Sequence, residues 1–371
     1  MKYYLKDIAK IKNGKKTILE DVGVKVYGSN GVIGFSKDSN APRNSIIIGR
    51  VGANTGSVFF SDEEHWVTDN AISVVPNNKI NPIYLFYLLK QKKLNRLAEG
   101  SAQPLVNQKI LNSFLIDIPS LEIQNKIADK LYKIDKKIEI NNKINTNLLR
   151  QIKLISNSYF SYFEVFDGKI PTNWKYFKLT DIANLGTGYS YSSKDLQKNN
   201  NMAMATIKNF NRNFGFDSRG YKEIIPIKPI KKEKYANLFD ILVAHTDLTQ
   251  NADIIGNAEP VLNTGNYEQI IYSMDLVKVT PKDNKISPFL LSLILQGDMF
   301  KSHCMKYING TTVLHLSKQA LKDFELPLPK NISDLNELDE FATKAYKTLS
   351  NNIIENTVLE KIKSTLLNTL F

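Results

Sequence analysis

An internal repeat constrains this chain more than any other feature. The segment "LKDIAKIKNG" (5–14) aligns without a gap with "LTDIANLGTG" (179–188). The longer segment "GSAQPLVNQKILNSFLIDIP" (100–119) aligns in the same way with "GTTVLHLSKQALKDFELPLP" (310–329). Because similar segments recur in the same order, the sequence predicts a duplicated architecture.

Two further pairs of segments complete the repeat. An alternating strand, a proline and an apolar helix occur at 72–90 and again at 277–295. Similar helix ends, "LISNSYF" and "TLLNTLF", finish at Phe160 and Phe371. The two copies therefore span roughly 5–160 and 179–371.

Composition limits the classes of protein that this chain can represent. Of its 371 residues, 42% are hydrophobic and 23% are charged, which is typical of a globular protein. The net charge of +12 favours a nucleic-acid binder, although a membrane-surface protein or a lysine-rich soluble surface gives the same value. Cys304 is the only cysteine, so no disulfide within the chain is possible, and we expect a cytoplasmic protein. Its apolar runs are too short to span a bilayer, so no membrane partner is expected.

Each copy ends in a sequence that predicts a long helix. Apolar residues alternate there at spacings of four and three, the heptad pattern of a coiled coil, and neither helix contains Gly or Pro. A single helix cannot bury such a seam, so we expect the two to pair in antiparallel orientation. The predicted seam comprises Ile127, Leu131, Ile134, Ile138, Asn141, Asn145, Leu148, Ile152, Leu349, Ile353, Asn356, Leu359 and Leu366. Its asparagines either lie off the seam in solvent or form a buried polar layer that sets the register.

The predicted fold class is therefore α+β, with two similar strand-rich α/β domains separated by an antiparallel two-helix coiled coil and related by a pseudo-twofold internal repeat. The predicted boundaries are 1–120 for the first strand-rich domain, 121–163 for the first long helix, 164–331 for the second domain with its linker at 161–176, and 332–371 for the second long helix.

This order of segments resembles the specificity subunit of a type I DNA restriction–modification system. One signal is Pro171-x-x-Trp174 followed by Leu179-x-Asp181-Ile182-Ala183. The others are the domain-to-helix junction "GSAQPLVNQKILNSFLIDIPSLEIQNKIADKL" and the duplication itself. Two departures are visible: the first copy lacks the Pro-x-x-Trp opening, and the second reads "LNEL" where the first has "LEIQ".

The resemblance implies a division of labour. In that family the strand-rich domains are target-recognition domains, and each reads one half of a bipartite, asymmetric DNA target. The paired helices space the domains and dock two methyltransferase subunits, which restriction subunits then join. The specificity subunit is not itself an enzyme, so S-adenosylmethionine is expected only in the partner methyltransferase subunits.

Polar residues in glycine-rich loops are the candidates for contact with double-stranded DNA. Arg, Lys, Asn, Gln, Ser and Thr side chains read base edges, Lys, Arg and backbone amides hold phosphates, and glycine lets a backbone approach a groove. The candidates are Asn30, Arg43, Arg50, Asn54, Thr55, Gln103, Asn107 and Gln108 in the first copy, and Lys208, Asn209, Asn211, Arg212, Arg219, Thr246, Gln250, Asn251, Thr311, Thr312, His315 and Lys318 in the second.

Two other functions remain open on sequence alone. A methyltransferase or nuclease acting by itself would need a cofactor loop and catalytic residues, and "NPIY" (81–84) and "GTG" (186–188) match such motifs only in part. A coiled-coil adaptor without a DNA role is the other alternative. The four histidines and Cys304 lack metal-ligand spacing, so no metal site and no catalytic residue are predicted.

Overall fold

The computed structural model describes residues 1–97, 105–198, 201–212, 214–282 and 286–371. It divides into two compact units, the first formed by 1–138 with 358–371 and the second by 139–357. Both long helices are cut by this division, so each unit contains one strand-rich repeat together with parts of both helices. No helix among the described residues is long and apolar enough to cross a membrane.

The first unit begins with a short strand and ends its strand-rich part where the first long helix starts. Its strands are β1 (Lys2–Tyr4), β2 (Ala9–Asn13), β3 (Val24–Gly28), β4 (Gly31–Ser36), β5 (Ser45–Gly49), β6 (Val58–Ser61), β7 (Trp66–Val67), β8 (Ala71–Pro76) and β9 (Leu115–Asp117). Its helices are α1 (Leu5–Ile8), α2 (Pro82–Gln91), α3 (Gln108–Asn112) and the start of α4 (Leu121–Ser156).

The second unit repeats this order with additional short elements. Its strands are β10 (Trp174–Lys178), β11 (Ala183–Thr187), β12 (Met202–Ala205), β13 (Lys222–Glu223), β14 (Ile241–Ala244), β15 (Thr246–Asp247), β16 (Ala258–Pro260), β17 (Gln269–Tyr272), β18 (Leu276–Pro281), β19 (Ile308–Asn309), β20 (Leu314–Leu316) and β21 (Glu325–Pro329). Its helices are α5 (Leu179–Ile182), α6 (Pro288–Leu295), α7 (Asp298–Met305), α8 (Lys318–Asp323) and the start of α9 (Asn336–Leu370).

Strand order shows that the two units share one fold. The four-stranded antiparallel sheet β2-β8-β5-β6 corresponds to β11-β18-β14-β16. The three-stranded sheet β4-β3-β7 corresponds to β13-β12-β17, and in both the last pair of strands is parallel. The pair β1-β9 corresponds to β10-β21, and the second unit adds the sheet β15-β20-β19. The predicted mixed fold with an internal repeat is confirmed.

The repeated residues of the opening motif have the same structural roles in both units. The carboxylates of Asp7 and Asp181 accept hydrogen bonds from the backbone N–H groups three residues earlier, at 3.1 and 2.9 Å, and so cap α1 and α5. A Cβ on Gly14 would lie 2.1 Å from the carbonyl oxygen of Thr68, and one on Gly188 would lie 1.9 Å from that of Ser273. Only glycine fits at these two positions.

Each unit has its own hydrophobic core, and both long helices contribute to it. In the first unit Ile127 and Leu131 of α4 are buried, and Leu366 of α9 packs against the same cluster. In the second unit the buried cluster includes Ile152 of α4 and Leu349 of α9. Burial of these apolar side chains removes them from water and holds the helices against the strand-rich parts.

The two helices start differently, which accounts for the difference between "LEIQ" and "LNEL". At the start of α4, Gln124 is buried, and its side-chain oxygen accepts the Asn81 N–H at 2.9 Å, at the beginning of α2. Near the start of α9, the Asp339 carboxylate instead accepts a hydrogen bond from Ser287, the N-cap of α6. In each unit the long helix is thus joined to the cap of a shorter helix.

The two long helices are antiparallel in the second unit. In the second unit the Asn141 amide donates to the Glu355 carboxylate at 2.7 Å and to the Asn356 side-chain oxygen at 2.9 Å. In the same unit Asn352 donates to the Asn145 side-chain oxygen at 2.8 Å. These contacts, in which residue numbers rise on one helix and fall on the other, form an asparagine layer.

The predicted seam positions differ in burial. Buried positions are Ile127, Leu131, Asn141, Ile152 and Leu349. Partly buried positions are Ile134, Ile138, Asn145, Leu148, Ile353, Asn356, Leu359 and Leu366. Apolar packing is therefore strongest where the helices meet the strand-rich parts, and the asparagine layer lies within the second unit.

Candidate nucleic-acid interface

Each unit presents one loop at the same end of its four-stranded sheet. We call residues 50–56, between β5 and β6, the first tip loop. We call residues 245–256, between β14 and β16 and including the short strand β15, the second tip loop. Both loops close at a glycine with positive φ, whose N–H donates to the last residue of the preceding strand: Gly56 to Gly49 at 2.8 Å, and Gly256 to Ala244 at 2.9 Å.

The first tip loop closes mainly on itself. The Thr55 N–H and hydroxyl both donate to the Gly52 carbonyl, at 3.1 and 2.7 Å. The Ser29 hydroxyl, from the turn between β3 and β4, donates to the Asn70 carbonyl and accepts the Val51 N–H at 3.3 Å. The loop is thus compact and is bordered by the turn at 29–30.

The second tip loop is longer and is fastened by side chains. The Lys301 ammonium of α7 donates to the carbonyls of Ala252, Asp253 and Ile255, and to the Asn257 side-chain oxygen at 2.9 Å. Burial lowers the pKa of Lys301 to about 8. An ammonium group surrounded by four oxygens fixes the path of the loop.

Other candidate residues lie in the second tip loop or beside it. The Gln250 side chain donates to the Thr311 carbonyl at 2.7 Å. Arg212 lies 3.8 Å from the Asp253 carboxylate. In the sheet β15-β20, Thr246 pairs with His315. The loops at 211–212, 248–251 and 309–312 therefore meet around one surface.

The predicted residues of the first unit are divided between surface and structure. Asn30, Arg43 and Asn54 are exposed, Arg50 is partly exposed and Thr55 is buried. Asn107 accepts the Ile110 N–H at 2.9 Å as the N-cap of α3, and Gln108 donates to the Ile11 carbonyl at 2.8 Å. Gln103 lies outside the described residues.

Most predicted residues of the second unit are exposed. The exposed ones are Lys208, Asn211, Arg212, Arg219, Gln250, Asn251, Thr311, Thr312, His315 and Lys318, whereas Asn209 and Thr246 are buried. Arg219 forms an ion pair with Asp217 at 2.7 Å. The exposed side chains supply both hydrogen-bond donors and positive charge.

Asn209 has a structural role in this conformation. Its side chain is fully buried, accepts the Thr206 N–H at 2.9 Å and donates to the Asp217 carbonyl at 2.8 Å. Both ends of the amide are therefore used within the protein. The turn-forming tendency of asparagine explains its presence better than a base contact does.

Comparison with known proteins identifies the family. Residues 1–150 and 171–364 match the type I restriction modification DNA specificity domain. The chain belongs to this family. The two matched regions coincide with the two structural repeats.

Similar proteins support the assignment. The chain is 26% identical over 359 residues to the type I restriction enzyme MjaVIII specificity subunit of Methanocaldococcus jannaschii, covering 90% of this chain and 80% of that one. It is 23% identical over 316 residues to the MjaIX specificity subunit of the same organism, covering 80% and 70%. The crystal structure of a type I restriction–modification S subunit from M. genitalium has the same fold, with a TM-score of 0.68 at 16% identity over 100% of this chain and 96% of that one.

One residue outside the predicted set, His245, lies beside the candidates Thr246, His315 and Lys318 of this specificity-family chain. His245 is 9% exposed and begins the second tip loop. Burial lowers its pKa, and the nearby positive charge of Lys318 and His315 lowers it further. In the sequence, His245 stands directly before the candidate Thr246. It also follows the apolar run "ILVA", so the pattern predicts a core residue at this position.

Two of the other histidines, His65 and His303, and the cysteine have packing roles. His65 is fully buried, with one ring nitrogen 2.9 Å from the Glu63 carbonyl oxygen. His303 lies 2.8 Å from the Ala320 carbonyl oxygen. Burial raises the pKa of Cys304 to about 12, so its thiol is protonated at neutral pH. Among the described residues, no group of three His, Cys, Asp or Glu side chains could hold a metal ion.

Proposed function

We propose that this chain is a sequence-specific DNA-binding subunit that recognises a bipartite, asymmetric target, each unit reading one half. The main support is the pair of tip loops, which arise at equivalent places in one fold but differ in length and in side chains. Because the two units share one fold but carry different tip loops, they suit two different half-sites better than the two identical half-sites of a palindrome. The net charge of +12 favours attraction to the phosphate backbone.

The chain also docks two methyltransferase subunits, which restriction subunits then join. Apolar side chains away from the seam support this role, because exposed apolar residues on a helix mark surfaces that a partner covers. On α4 these are Ile140, Ile144 and Leu154, and on α9 they are Ile354, Val358 and Ile362. Each helix therefore offers one apolar face, which fits two equivalent partners.

The chain performs no catalytic step in this proposal. Methyl transfer and its cofactor, S-adenosylmethionine, belong to the methyltransferase subunits. The tip loops supply hydrogen-bonding groups and positive charge, which is the chemistry of recognition.

The proposal is tested by measuring how the subunits assemble and which subunit binds the cofactor. The purified chain is mixed with the methyltransferase subunit of its own system and measured by native mass spectrometry and by calorimetry with S-adenosylmethionine. We expect two methyltransferases per chain, cofactor bound in proportion to methyltransferase, and methylation of plasmid DNA only when the chain is present. Tight cofactor binding by the chain alone would favour an enzyme, and methylation that is independent of the chain would contradict a recognition role.

Ile144→Glu and Leu154→Glu test the docking surface, with Arg150→Glu as a matched control because Arg150 is exposed on the same helix. A buried charge in a partner interface is costly, so the two apolar variants should lose one methyltransferase each while the control keeps both. Retention of both partners by all three variants would place docking elsewhere.

A further inference from the structure

Arg50 begins the first tip loop in a defined backbone environment. Its N–H donates to the Asn70 carbonyl at 3.0 Å, and its carbonyl accepts the Val106 N–H at 3.1 Å. The preceding residue, Gly49, pairs with Ala71 at the start of β8. Arg50 is thus held between the loop before β8 and the segment before α3.

His245 begins the second tip loop in the same environment. Its N–H donates to the Asp275 carbonyl at 2.8 Å, and its carbonyl accepts the Leu316 N–H at 2.8 Å. The preceding residue, Ala244, pairs with Leu276 at the start of β18. Strand pairing and both hydrogen bonds therefore place His245 where the first unit has Arg50.

These two side chains share a further property. Nε of Arg50 and Nε2 of His245 are buried and have no hydrogen-bond partner among the described residues. Buried polar groups in folded proteins are nearly always paired, because an unpaired one loses its bonds to water without compensation. Other buried side chains also carry an unpartnered polar atom, but Arg50 and His245 are set apart because they occupy equivalent positions at the start of the two tip loops.

We propose that Arg50 and His245 are the equivalent specificity-determining residues of the two units, and that each forms hydrogen bonds to a base edge in the major groove of its half-site. This inference rests on the proposed function and adds to it one shared reading position. The surroundings fit a nucleic acid: Asn54 is exposed in the first tip loop, and His315 and Lys318 are exposed beside the second.

The chemistry of the two side chains predicts different preferences. Arginine only donates hydrogen bonds, and it pairs with the O6 and N7 acceptors of guanine. A neutral imidazole carries one donor and one acceptor, so it accepts a wider set of base edges. We therefore expect a guanine at the position read by Arg50, and a different or more relaxed preference at the position read by His245.

The experiment uses the complete complex with its methyltransferase subunits. Methylation mapping of the native complex first establishes the target. Synthetic duplexes carrying that target, and every single base-pair substitution of it, are then methylated in competition by the native complex and by variants Arg50→Gln, Arg50→His, His245→Gln and His245→Arg. His303→Gln is the matched control, because that imidazole lies in the second unit but is already bonded within the protein.

Arg50→Gln should reduce discrimination at one base pair of one half-site by about 5- to 150-fold, the range expected for losing a bidentate base contact. His245→Gln should change discrimination in the other half-site only. The two exchange variants should shift the preferred base at the same two positions, and His303→Gln should change neither. The unaltered half-site of each duplex series serves as an internal control for folding.

Unchanged discrimination at every position, in Arg50 and His245 variants that retain the native thermal midpoint, would overturn the inference while leaving the proposed function intact. Failure of the native complex to methylate any bipartite target would instead overturn the proposed function itself. Weakened methylation of all duplexes by the same factor would also count against a base contact, because it is the signature of a phosphate contact.

Discussion

The two units build the same sheet but hold their tip loops by different means. The first tip loop, 50–56, is short and closes on its own backbone through Gly52 and Thr55. The second, 245–256, is longer and is fastened to α7 by Lys301. The difference shows that the sheet and the closing glycine are the repeated design, whereas loop length and anchoring vary between copies.

A second difference lies under the tip loops, in the edge strands β6 and β16. Strand pairing places Phe59 opposite Ile47 in the first unit and Glu259 opposite Leu242 in the second. Glu259 is 1% exposed, and its carboxylate accepts the Gly215 N–H at 2.9 Å. An equivalent position thus carries an aromatic side chain in one copy and a buried acid in the other.

Substitutions at positions that have the same structural role in both units should lower the free energy of unfolding most. Gly14→Ala and Gly188→Ala each place a Cβ about 2 Å from a backbone carbonyl oxygen. The backbone must move, so each variant should lose about 3 kcal/mol of unfolding free energy, measured by denaturant titration. Gly28→Ala is the control, because its Cβ would meet side chains alone, with Ile33 at 3.4 Å and the Thr68 hydroxyl at 3.8 Å. A large loss at one glycine and none at its counterpart would break the equivalence of the two units.

The buried acid predicts a pH dependence that is confined to the second unit. Burial raises the pKa of Glu259 from 4.5 to about 7. A carboxyl group with a raised folded-state pKa stabilises fully below its unfolded pKa, and this contribution is lost as pH rises through 7. The free energy of unfolding should therefore fall by about 2 kcal/mol between pH 5 and pH 8.

Glu259→Gln should remove that fall, because the amide remains neutral and its oxygen can still accept the Gly215 N–H. The exposed Glu268→Gln should keep the native pH profile. If Glu259→Gln retained the whole pH-dependent loss, the buried acid would not be its source.

The asparagine layer should contribute less to the free energy of unfolding than the glycine positions do. Asn141→Ala removes two hydrogen bonds and leaves Glu355 and Asn356 without them, so the unfolding free energy should fall by about 1–2 kcal/mol. Asn147→Ala, at an exposed position of the same helix, should cost under about 0.5 kcal/mol. Equal effects of the two substitutions would show that the layer carries no stability.

The smallest expected effect is confined to the second tip loop. Lys301→Met removes the ammonium group that fastens residues 252–257, and hydrogen exchange of the backbone amides in that segment should accelerate by about tenfold. Lys306→Met is the control, since Lys306 is exposed on the helix end. The first tip loop, which closes on its own backbone, should be unaffected in both variants. Unchanged exchange in 252–257 would show that the loop does not depend on Lys301.

Much of the fold could be predicted because the repeat is gapless where structure demands specific residues. The two helix caps are Asp7 and Asp181, and the two points where the backbone closely approaches a carbonyl oxygen are Gly14 and Gly188. Each of these roles restricts the residue type. The heptad spacing likewise predicts long helices, and the structure contains α4 (Leu121–Ser156) and α9 (Asn336–Leu370).

The reading position could not be predicted in the same way. Arg50 and His245 differ in type, and the tip loops that follow them differ in length, so the short apolar runs before them do not by themselves identify the two positions as equivalent. Strand register and the backbone hydrogen bonds of both residues do so. Asn107 and Asn209 present the opposite difficulty: the structure gives them capping and turn hydrogen bonds, and those roles use the same amide chemistry as base contacts.

Genome-wide mapping of methylated bases, in cells that carry the methyltransferase of this system with and without this chain, tests the central claim most directly. Two units with one fold and different tip loops predict methylation that depends on the chain and falls in two unlike half-sites separated by an unread gap. A palindromic target with identical half-sites, or an identical methylation pattern without the chain, would contradict the account.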